Sequence, residues 1–498
     1  MPLNKKIVFP FILLFIVIAG AAVLQSKDIM RGIPACKGCN VIVISLDQVR
    51  ANSLPCFGYA QNTAPNLCRF AARSHVFTNA YATASRTLDS HFSMVTSLYP
   101  SEHTMTLPYS SKLPSDVPTI ASLMKKEGYV TYFFGPEGDP HLPLTMGLDR
   151  GFDKTFYADD PKSWMQAIDS LATPAGTLVQ PVFFFMHTYM AHEPYMPDPE
   201  DLKLFYDGPD RKRMTYEELC RYTYTRLTDI HPELAVSPRI PTYCEKLDAY
   251  QEKNAQSFND FNDMYTVFND KYWHQFDDLP KSEKAKYTHA LYIAQIHMLD
   301  TELGTFFTYL ERKKLLDNTM IVIVGDQGDE FFEHDSYSHA WSLYNEVLHV
   351  PYIVYVPGSA PSRSDKLVSV VDIMPTVFQV LRKKLSAPVA GIGVFSSKTH
   401  HMVVAEHVSD GALALRTNAY TLIRRIVRGA FQFELFDIRT DPGEQINIFK
   451  DNSNVVESML NEYKELKKSF PVYSRGSDPL PTWLKEEDKK RLLESGYF

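Results

Sequence analysis

The sequence predicts an α/β fold with a large, mostly parallel sheet lying between helices. Three near-continuous apolar runs carry that prediction: NVIVISL at Asn40–Leu46, VFFFM at 182–186 and MIVIVG at 320–325. Such runs suit strands that are covered on both faces. Helical segments alternate with them, at 117–127 and at 287–314, where Ile293, Ile296, Leu299 and Leu303 form one stripe. The runs are followed by Asp47, His187 and Asp326, each able to carry chemistry. Ligands of open α/β sheets bind beyond the carboxyl ends of the strands, so a site is expected at that edge.

Taken in chain order, Lys5 and Lys6 precede an uncharged apolar stretch at 7–24. At a rise of about 1.5 Å per residue it just crosses a bilayer. The lysines are expected to stay in the cytoplasm and the remainder to face the periplasm or exterior. Residues 1–26 therefore read as a membrane anchor, or as a signal peptide cleaved among Ala19, Gly20, Ala21 and Ala22, which would leave the protein secreted. Six cysteines fit an oxidising compartment. Cys36 and Cys39 form a CxxC that no second CxxC completes into a zinc set, so it reads as a structural disulfide or plain thiols. Cys56 with Cys68 and Cys220 with Cys244 stand open as further pairs, with connectivity unfixed by sequence.

The main domain is expected over 40–398. Within it, 201–286 is polar, Tyr-rich and aperiodic. It reads as a mostly helical insertion over the site edge, where inserted loops set substrate choice, or as a solvated excursion. LVSVVDIMPTVFQVL then gives a strand leading into a helix. In 399–450, VVAEH, ALRTNAYTLIRRI and FQFELFDI are short and β-rich, and predict a small antiparallel subdomain. A charged tail at 451–498 contains the amphipathic helix ESMLNEYKELKK. The net charge of −8 is modest for 498 residues, and nothing in the bulk composition points to nucleic acid.

The stretch 84–103, ASRTLDSHFSMVTSLYPSEH, organises the chemistry. Thr87 lies where a loop gives way to a helix, with Phe92 and Val95 at helical spacing. A hydroxyl there either caps free N–H groups or sits beside a bound anion. Asp47 and Asp326 favour the second use. Two carboxylates at neighbouring strand ends suggest one divalent ion, and oxygen donors favour Ca²⁺ or Mg²⁺, with Mn²⁺ or Zn²⁺ if histidines join. Gln48 and Gln327 directly follow the two aspartates and could add carbonyl oxygens. Such an ion lowers the pKa of a threonine hydroxyl and makes it a nucleophile. His192, on a proline-fixed loop, and His334 and His339, downstream of Asp326, supply groups able to act as general acid, anion contact or ligand.

Several blocks, in this order, resemble one family. They are NVIVISLDQVR with CFGYAQNTAPNLCRFA, then MHTYMAHEPYMP, then DNTMIVIVGDQGDEFFEHDSYSHAWSLYNEVLHVPYIVYVPG, and finally VVDIMPT and ELFDIRTDPGEQINIF. The chain resembles the sulfatase-type members of the alkaline phosphatase superfamily. The resemblance implies an alkaline-phosphatase-like core with a mixed sheet, a small C-terminal antiparallel subdomain, and metal-dependent hydrolysis of a sulfuric or phosphoric ester. Thr87 aligns with the Cys or Ser of the family's C/S-x-P-S-R block, Asp89 with its Pro and His91 with its Arg. Threonine cannot become formylglycine, and T-L-x-S-H-x-S-x-x-T-x-x-x-P is similar to a Thr-nucleophile branch of membrane-linked phosphodiesterases and phosphoethanolamine or glycerolphosphate transferases.

The implied roles are Thr87 as nucleophile, with His192, His339 and His91 as further catalytic groups, and Asp47, Asp326, Gln327 and Thr87 as metal ligands. Gln327 stands where sulfatases have Asn, and Gln48 where they have a second Asp. Three readings follow: a hydrolase of an anionic sulfate or phosphate ester on a glycan or lipid, a transferase of a phospho-substituent, or a binding protein on a degenerate site.

Overall fold

The computed structural model describes residues 33–473 except 106–111, 137–143, 173–177, 179–180, 210, 231–241, 243, 245, 248–266, 340 and 429. The three apolar runs form β1 (Asn40–Leu46), β5 (Val182–Thr188) and β6 (Thr319–Gly325). With β2 (His75–Tyr81), β3 (Val130–Gly135), β4 (Lys154–Tyr157), β9 (Tyr352–Tyr355) and β10 (Ser362–Ser369) they build one sheet in the order β10-β2-β9-β6-β1-β5-β3-β4. Neighbouring strands run parallel except around β9, which is antiparallel to both β2 and β6. The sheet is thus mixed and mostly parallel, as expected. β7 (Glu330–Phe331) and β8 (Tyr337–Ser338) pair as a short ribbon downstream of β6.

Strand alternation explains why the runs are unbroken. Val41 and Val43 join Phe183, Phe185, Met320, Val322 and Val324 in one core layer, with Leu88, Phe92 and Val95 of the helix Thr87–Thr96. Ile42, Ile44 and Leu46 join Phe184, Met186, Ile321 and Ile323 in the other, under the helix Lys281–Arg312. The predicted stripe Ile293, Ile296, Leu299 and Leu303 is the buried face of that helix. Each such side chain contributes roughly 1.5–3 kcal/mol on full burial, so a polar residue at any of these positions is strongly selected against until the strand ends.

The register fixes where the strands end. Leu46 pairs with Thr188 on one side and Gly325 on the other. The Asp326 N–H then donates to the Leu46 carbonyl (3.3 Å) and the Asp47 N–H to the Thr188 carbonyl (3.2 Å), so both aspartates leave the sheet together. A Cβ on Gly325 would lie 2.8 Å from the Val49 carbonyl oxygen, so this exit requires glycine.

The predicted C-terminal sheet is present as β11 (Val403–His407), β12 (Ala412–Arg416), β13 (Tyr420–Val427) and β14 (Ala430–Asp437), antiparallel in that order. The helix Ser453–Lys467 covers one face through Val456, Met459 and Tyr463. All three cysteine pairs are disulfides: Cys36–Cys39, Cys56–Cys68 and Cys220–Cys244. Described parts of the insertion are helical, at Tyr216–Ile230 and 267–274. Its expected limits differ from the elements. Residue 201 lies inside the helix Pro199–Phe205, and residues from Lys281 onward already belong to the long core helix. The expected anchor at 7–24 and the tail beyond 473 lie outside the described residues. Among the described residues no helix is long and apolar enough to cross a membrane.

The small sheet docks on the core through buried polar contacts. Glu406 of β11 accepts from the Ser101 N–H (2.9 Å) and the Tyr463 hydroxyl (2.8 Å). Beside it, Glu102 accepts from the Tyr99 N–H (2.8 Å), and burial together with Glu406 raises its carboxyl above the ordinary 4.5. The folded state therefore keeps a proton that the unfolded chain loses, so stability falls as pH rises above 4.5 towards the raised folded value. Glu102→Gln removes this slope. Thermal melts at about pH 5 and about pH 8 should show the variant gaining on the wild type as pH rises, whereas equal differences at both would contradict the assignment.

Candidate active site

The helix Thr87–Thr96 begins without a side-chain cap. Its N-cap residue, Arg86, is extended (φ −132°, ψ 136°) and makes no capping hydrogen bond. Thr87 is the first helical residue, and its Oγ1 accepts from Gln327 Nε2 at 3.1 Å. The same Gln327 nitrogen lies 3.4 Å from Asp47 Oδ1. The hydroxyl therefore faces the two strand ends. Ser90 pins the helix there by donating to the Asp326 carbonyl (2.7 Å).

Asp326 is buried. Its Oδ1 accepts from the backbone N–H groups of Gln48 (3.2 Å) and Gln327 (2.7 Å). Its Oδ2 and Gln327 Oε1 are buried oxygens with no hydrogen-bond partner. Burial, and then the neighbouring Asp47, push the Asp326 carboxyl well above the usual carboxylate range. Two acids confined this closely favour either a shared proton or a cation between them.

His91 lies on the sheet-facing side of the helix Thr87–Thr96. Its Nδ1 donates to the Thr87 carbonyl (2.8 Å), so in the neutral ring Nε2 is the acceptor, facing Ser45 Oγ (3.0 Å) and His187 Nδ1 (3.1 Å). Burial, then His187, hold its pKa well below the ordinary value. The arrangement suits positioning of Thr87. His187, noted in the sequence only as the residue following a strand run, sits opposite Ser45 in the β1–β5 register, with Nε2 3.4 Å from Asp47 Oδ2.

Gln48 does not add an oxygen to the aspartate pair. At φ 56° its side chain turns away, and its Oε1 accepts from the Glu193 N–H (3.0 Å) and the Tyr195 hydroxyl (3.4 Å). A backbone N–H only donates, so this fixes the amide, and Nε2 then faces His339 Nδ1 at 2.5 Å. His192 and His339 are brought together, with ring centroids 5.3 Å apart. His192 Nδ1 donates to the Glu193 carbonyl (2.5 Å). Burial lowers the pKa of His339, Glu193 opposes that, and Arg86 adds to it. His334 lies elsewhere, stacked on Tyr344 at 3.6 Å, with Nε2 3.0 Å from the Glu444 carbonyl.

Sequence reasoning missed Glu193. This buried carboxylate accepts from Trp273 Nε1 (2.9 Å), Asn269 Nδ2 (3.1 Å) and Ser338 Oγ (2.6 Å), and burial followed by Asp329 raises its pKa to about 7. It joins the insertion to the loops carrying His192 and His339. The aperiodic insertion gave no signal for this contact. Asp89 is buried too, and burial raises its pKa to about 7 against the pull of Arg86, so it carries less charge than a free aspartate.

Residues 39–383 match the protein-family model described as Sulfatase. The chain belongs to the sulfatase family. Its relatives are named sulfatases, which are sulfuric ester hydrolases. The chain is similar to N-acetylglucosamine-6-O-sulfatase of Bacteroides thetaiotaomicron, 23% identical, with 86% of this chain and 87% of that one covered. Iduronate 2-sulfatase of Homo sapiens is 23% identical over 69% of this chain and 64% of its own length. A solved structure in complex with its substrate D-glucosamine-2-N,6-O-disulfate superposes with a TM-score of 0.62 at 19% identity, covering 87% of this chain and 98% of that one. The phosphonate monoester hydrolase of Agrobacterium radiobacter gives 0.60 at 17% identity, covering 86% and 95%. At these identities the solved structures establish the shared fold.

Gln48→Leu should strand the Glu193 N–H and the His339 ring together. Each buried group left unmade costs roughly 1–3 kcal/mol, so urea denaturation should show a loss of that order or more. A change below about 0.5 kcal/mol would mean that Gln48 does not bracket the two loops.

Proposed function

We propose that this sulfatase-family chain hydrolyses an anionic sulfuric ester through a covalent Thr87 intermediate. The observation that carries the reading is the Thr87 hydroxyl at a helix N-terminus, sharing the Gln327 amide with Asp47. The donor set fits a hard divalent cation. Asp326 Oδ2 and Gln327 Oε1 are buried without hydrogen-bond partners, and Asp47 and Asp326 are close enough to raise the latter's pKa. Among the described residues no three His, Cys, Asp or Glu side chains form a metal group, and the proposed set adds Gln327 and Thr87 to the two aspartates. Held by Asp47, Asp326, Gln327 and Thr87, Ca²⁺ or Mg²⁺ would supply the positive charge that lowers the hydroxyl pKa and offsets charge on the ester oxygens.

The chain's own groups account for the rest. Thr87 Oγ1 releases its proton to water and bonds to sulfur as the bond from sulfur to the leaving oxygen breaks, and that oxygen takes up a proton. The helix N-terminus favours the anionic ester group. His192 and His339 contact the ester oxygens or protonate the leaving oxygen. His91 holds the nucleophile helix through the Thr87 carbonyl. Water then cleaves the threonine ester, releasing sulfate and restoring the hydroxyl. A phosphoric ester is the second reading, favoured by the plain threonine, which cannot become the sulfatase aldehyde. With either ester, transfer to a lipid or glycan acceptor replaces hydrolysis if an acceptor outcompetes water. The three disulfides support placement outside the cytoplasm, whether the chain is anchored or secreted.

Aryl sulfate, phosphate monoester and phosphodiester substrates, each assayed with Ca²⁺, Mg²⁺ and Mn²⁺, separate these readings. Thr87→Ala should lower turnover by roughly a thousandfold or more, and wild-type activity in that variant would overturn the assignment. Chelation should both abolish turnover and lower the melting temperature, with restoration of both by the matching cation. An unchanged melting temperature would speak against a cation between the aspartates.

A further inference from the structure

We propose that His407, at the end of β11 in the C-terminal sheet, is a positioning residue for the Thr87 hydroxyl. Acting through Ser85, it fixes the loop from which the helix Thr87–Thr96 starts. This role rests on Thr87 being the nucleophile.

The start of that helix is not fixed locally. A helix N-terminus is ordinarily defined by Ser, Thr, Asp or Asn at the N-cap, whose side chain accepts from a free N–H group. Here the N-cap residue is Arg86, which has no side-chain acceptor, although its carbonyl takes the first helical bond, from the Ser90 N–H (3.1 Å). A capping oxygen would also occupy N–H groups that are otherwise free to face an anionic ester. Residues 82–86, between β2 and the helix, belong to no strand or helix of their own. Thr87 is the first helical residue, so a shift of this loop moves its hydroxyl directly.

β11 and the turn after it supply the missing restraint. The Glu406 N–H donates to the Thr83 carbonyl (2.8 Å), Ser85 Oγ lies 2.5 Å from His407 Nε2, and Arg86 Nη1 donates to Ser409 Oγ (2.9 Å). The three contacts run in step, although Ser85 and His407 are 322 residues apart in the chain. Ser85 and His407 are both buried. Asp410 Oδ2 faces His407 Nδ1 at 3.8 Å, so in the neutral ring the proton sits on Nδ1, and Nε2 accepts from the Ser85 hydroxyl. β11 is itself anchored, because Glu406 accepts from the Ser101 N–H and the Tyr463 hydroxyl. The Arg86 side chain extends between Ser409 and Trp341, whose ring centroid lies 6.0 Å from its Cζ. A Ser–His pair that served only the core would have no reason to sit within such a series. All three contacts fall on 83–86, the residues that lead into Thr87. β11 lies beyond residues 39–383, so this clamp comes from a part of the chain that the family model does not span.

The test compares full-length wild type with Ser85→Ala, His407→Ala, the double variant and His407→Gln. Amide hydrogen exchange is followed in the peptide covering 82–90, together with kcat and KM for whichever 4-nitrophenyl ester, sulfate or phosphate, the wild type turns over. Losing the clamp should raise exchange in that peptide by about tenfold, with the helix Lys281–Arg312 unchanged. kcat should fall by roughly ten- to a hundredfold with KM within about twofold, because the loss is in the reacting geometry. The double variant should lose no more than His407→Ala alone, since both changes break one contact. A glutamine carbonyl can accept from Ser85, so His407→Gln should recover most of the lost kcat. Unchanged exchange at 82–90, exchange raised equally in the long helix, losses that multiply in the double variant, or raised local exchange with wild-type kcat would each overturn the assignment. The chemistry is tested separately. Local exchange that responds to His407 in a protein that turns over neither ester would keep the clamp and reject the Thr87 reaction. Turnover that depends on Thr87 but is insensitive to His407 would do the reverse.

Discussion

Asp47 and Asp326 repel one another from the ends of two strands that cannot move apart. β1 and β6 are locked in register by seven paired positions, and both strands are buried along their full length. Coulomb repulsion between carboxylates grows as water is excluded, and both side chains are fully buried. The surrounding contacts answer that constraint. Backbone N–H groups of Gln48 and Gln327 point at one Asp326 oxygen, and the Gln327 amide reaches towards Asp47. The helix bearing Thr87 is tied to the Asp326 carbonyl through Ser90. Thr87 is thus held by the same contacts that confine the two charges.

Around this centre lies a second set of buried polar contacts. Gln48 leaves the strand end in a left-handed conformation and brackets the loops of His192 and His339. Glu193 continues outward to Trp273 and Asn269 of the insertion and to Ser338 beside His339. Where the family resemblance places a second aspartate, an uncharged amide serves instead, satisfied at both ends. An aspartate side chain is one methylene shorter and would add a third negative charge near a pair already in conflict. The amide exchanges charge at the centre for rigidity in the loops of His192 and His339.

The C-terminal sheet contributes to the site as well as to the core. Its β11–β12 turn meets Arg86, and its docking runs through Glu406 and through Glu444, which accepts from the Asn345 N–H (2.8 Å). Around the strand ends the walls are built from loops and turns, the parts of a fold that tolerate change. Trp341 stands exposed on such a loop, outside the strand ends.

Periodicity and strand endings were legible in the sequence because they are local properties. An unbroken apolar run reports a strand covered on both faces, and the first polar residue after it reports the sheet edge. Asp47 and Asp326 were placed at the sheet edge in this way, as were the mostly parallel sheet, the small antiparallel sheet and the stripe on the long helix, whereas Thr87 was singled out at a loop-to-helix junction and the mixed character of the sheet came with the family resemblance. The direction in which a side chain turns after leaving a strand is not local. Gln48 and Gln327 follow their aspartates identically in sequence, yet one reaches Thr87 and the other turns away, because the Glu193 N–H and His339 meet only one of them. His187, Glu193 and the Arg86–Trp341 contact depend likewise on segments far apart in the chain arriving at one place. The sequence by itself determined which residues stand at the sheet edge. Tertiary packing decided which of their atoms face one another, because buried donors and acceptors can be satisfied only by whatever partner the fold brings to them.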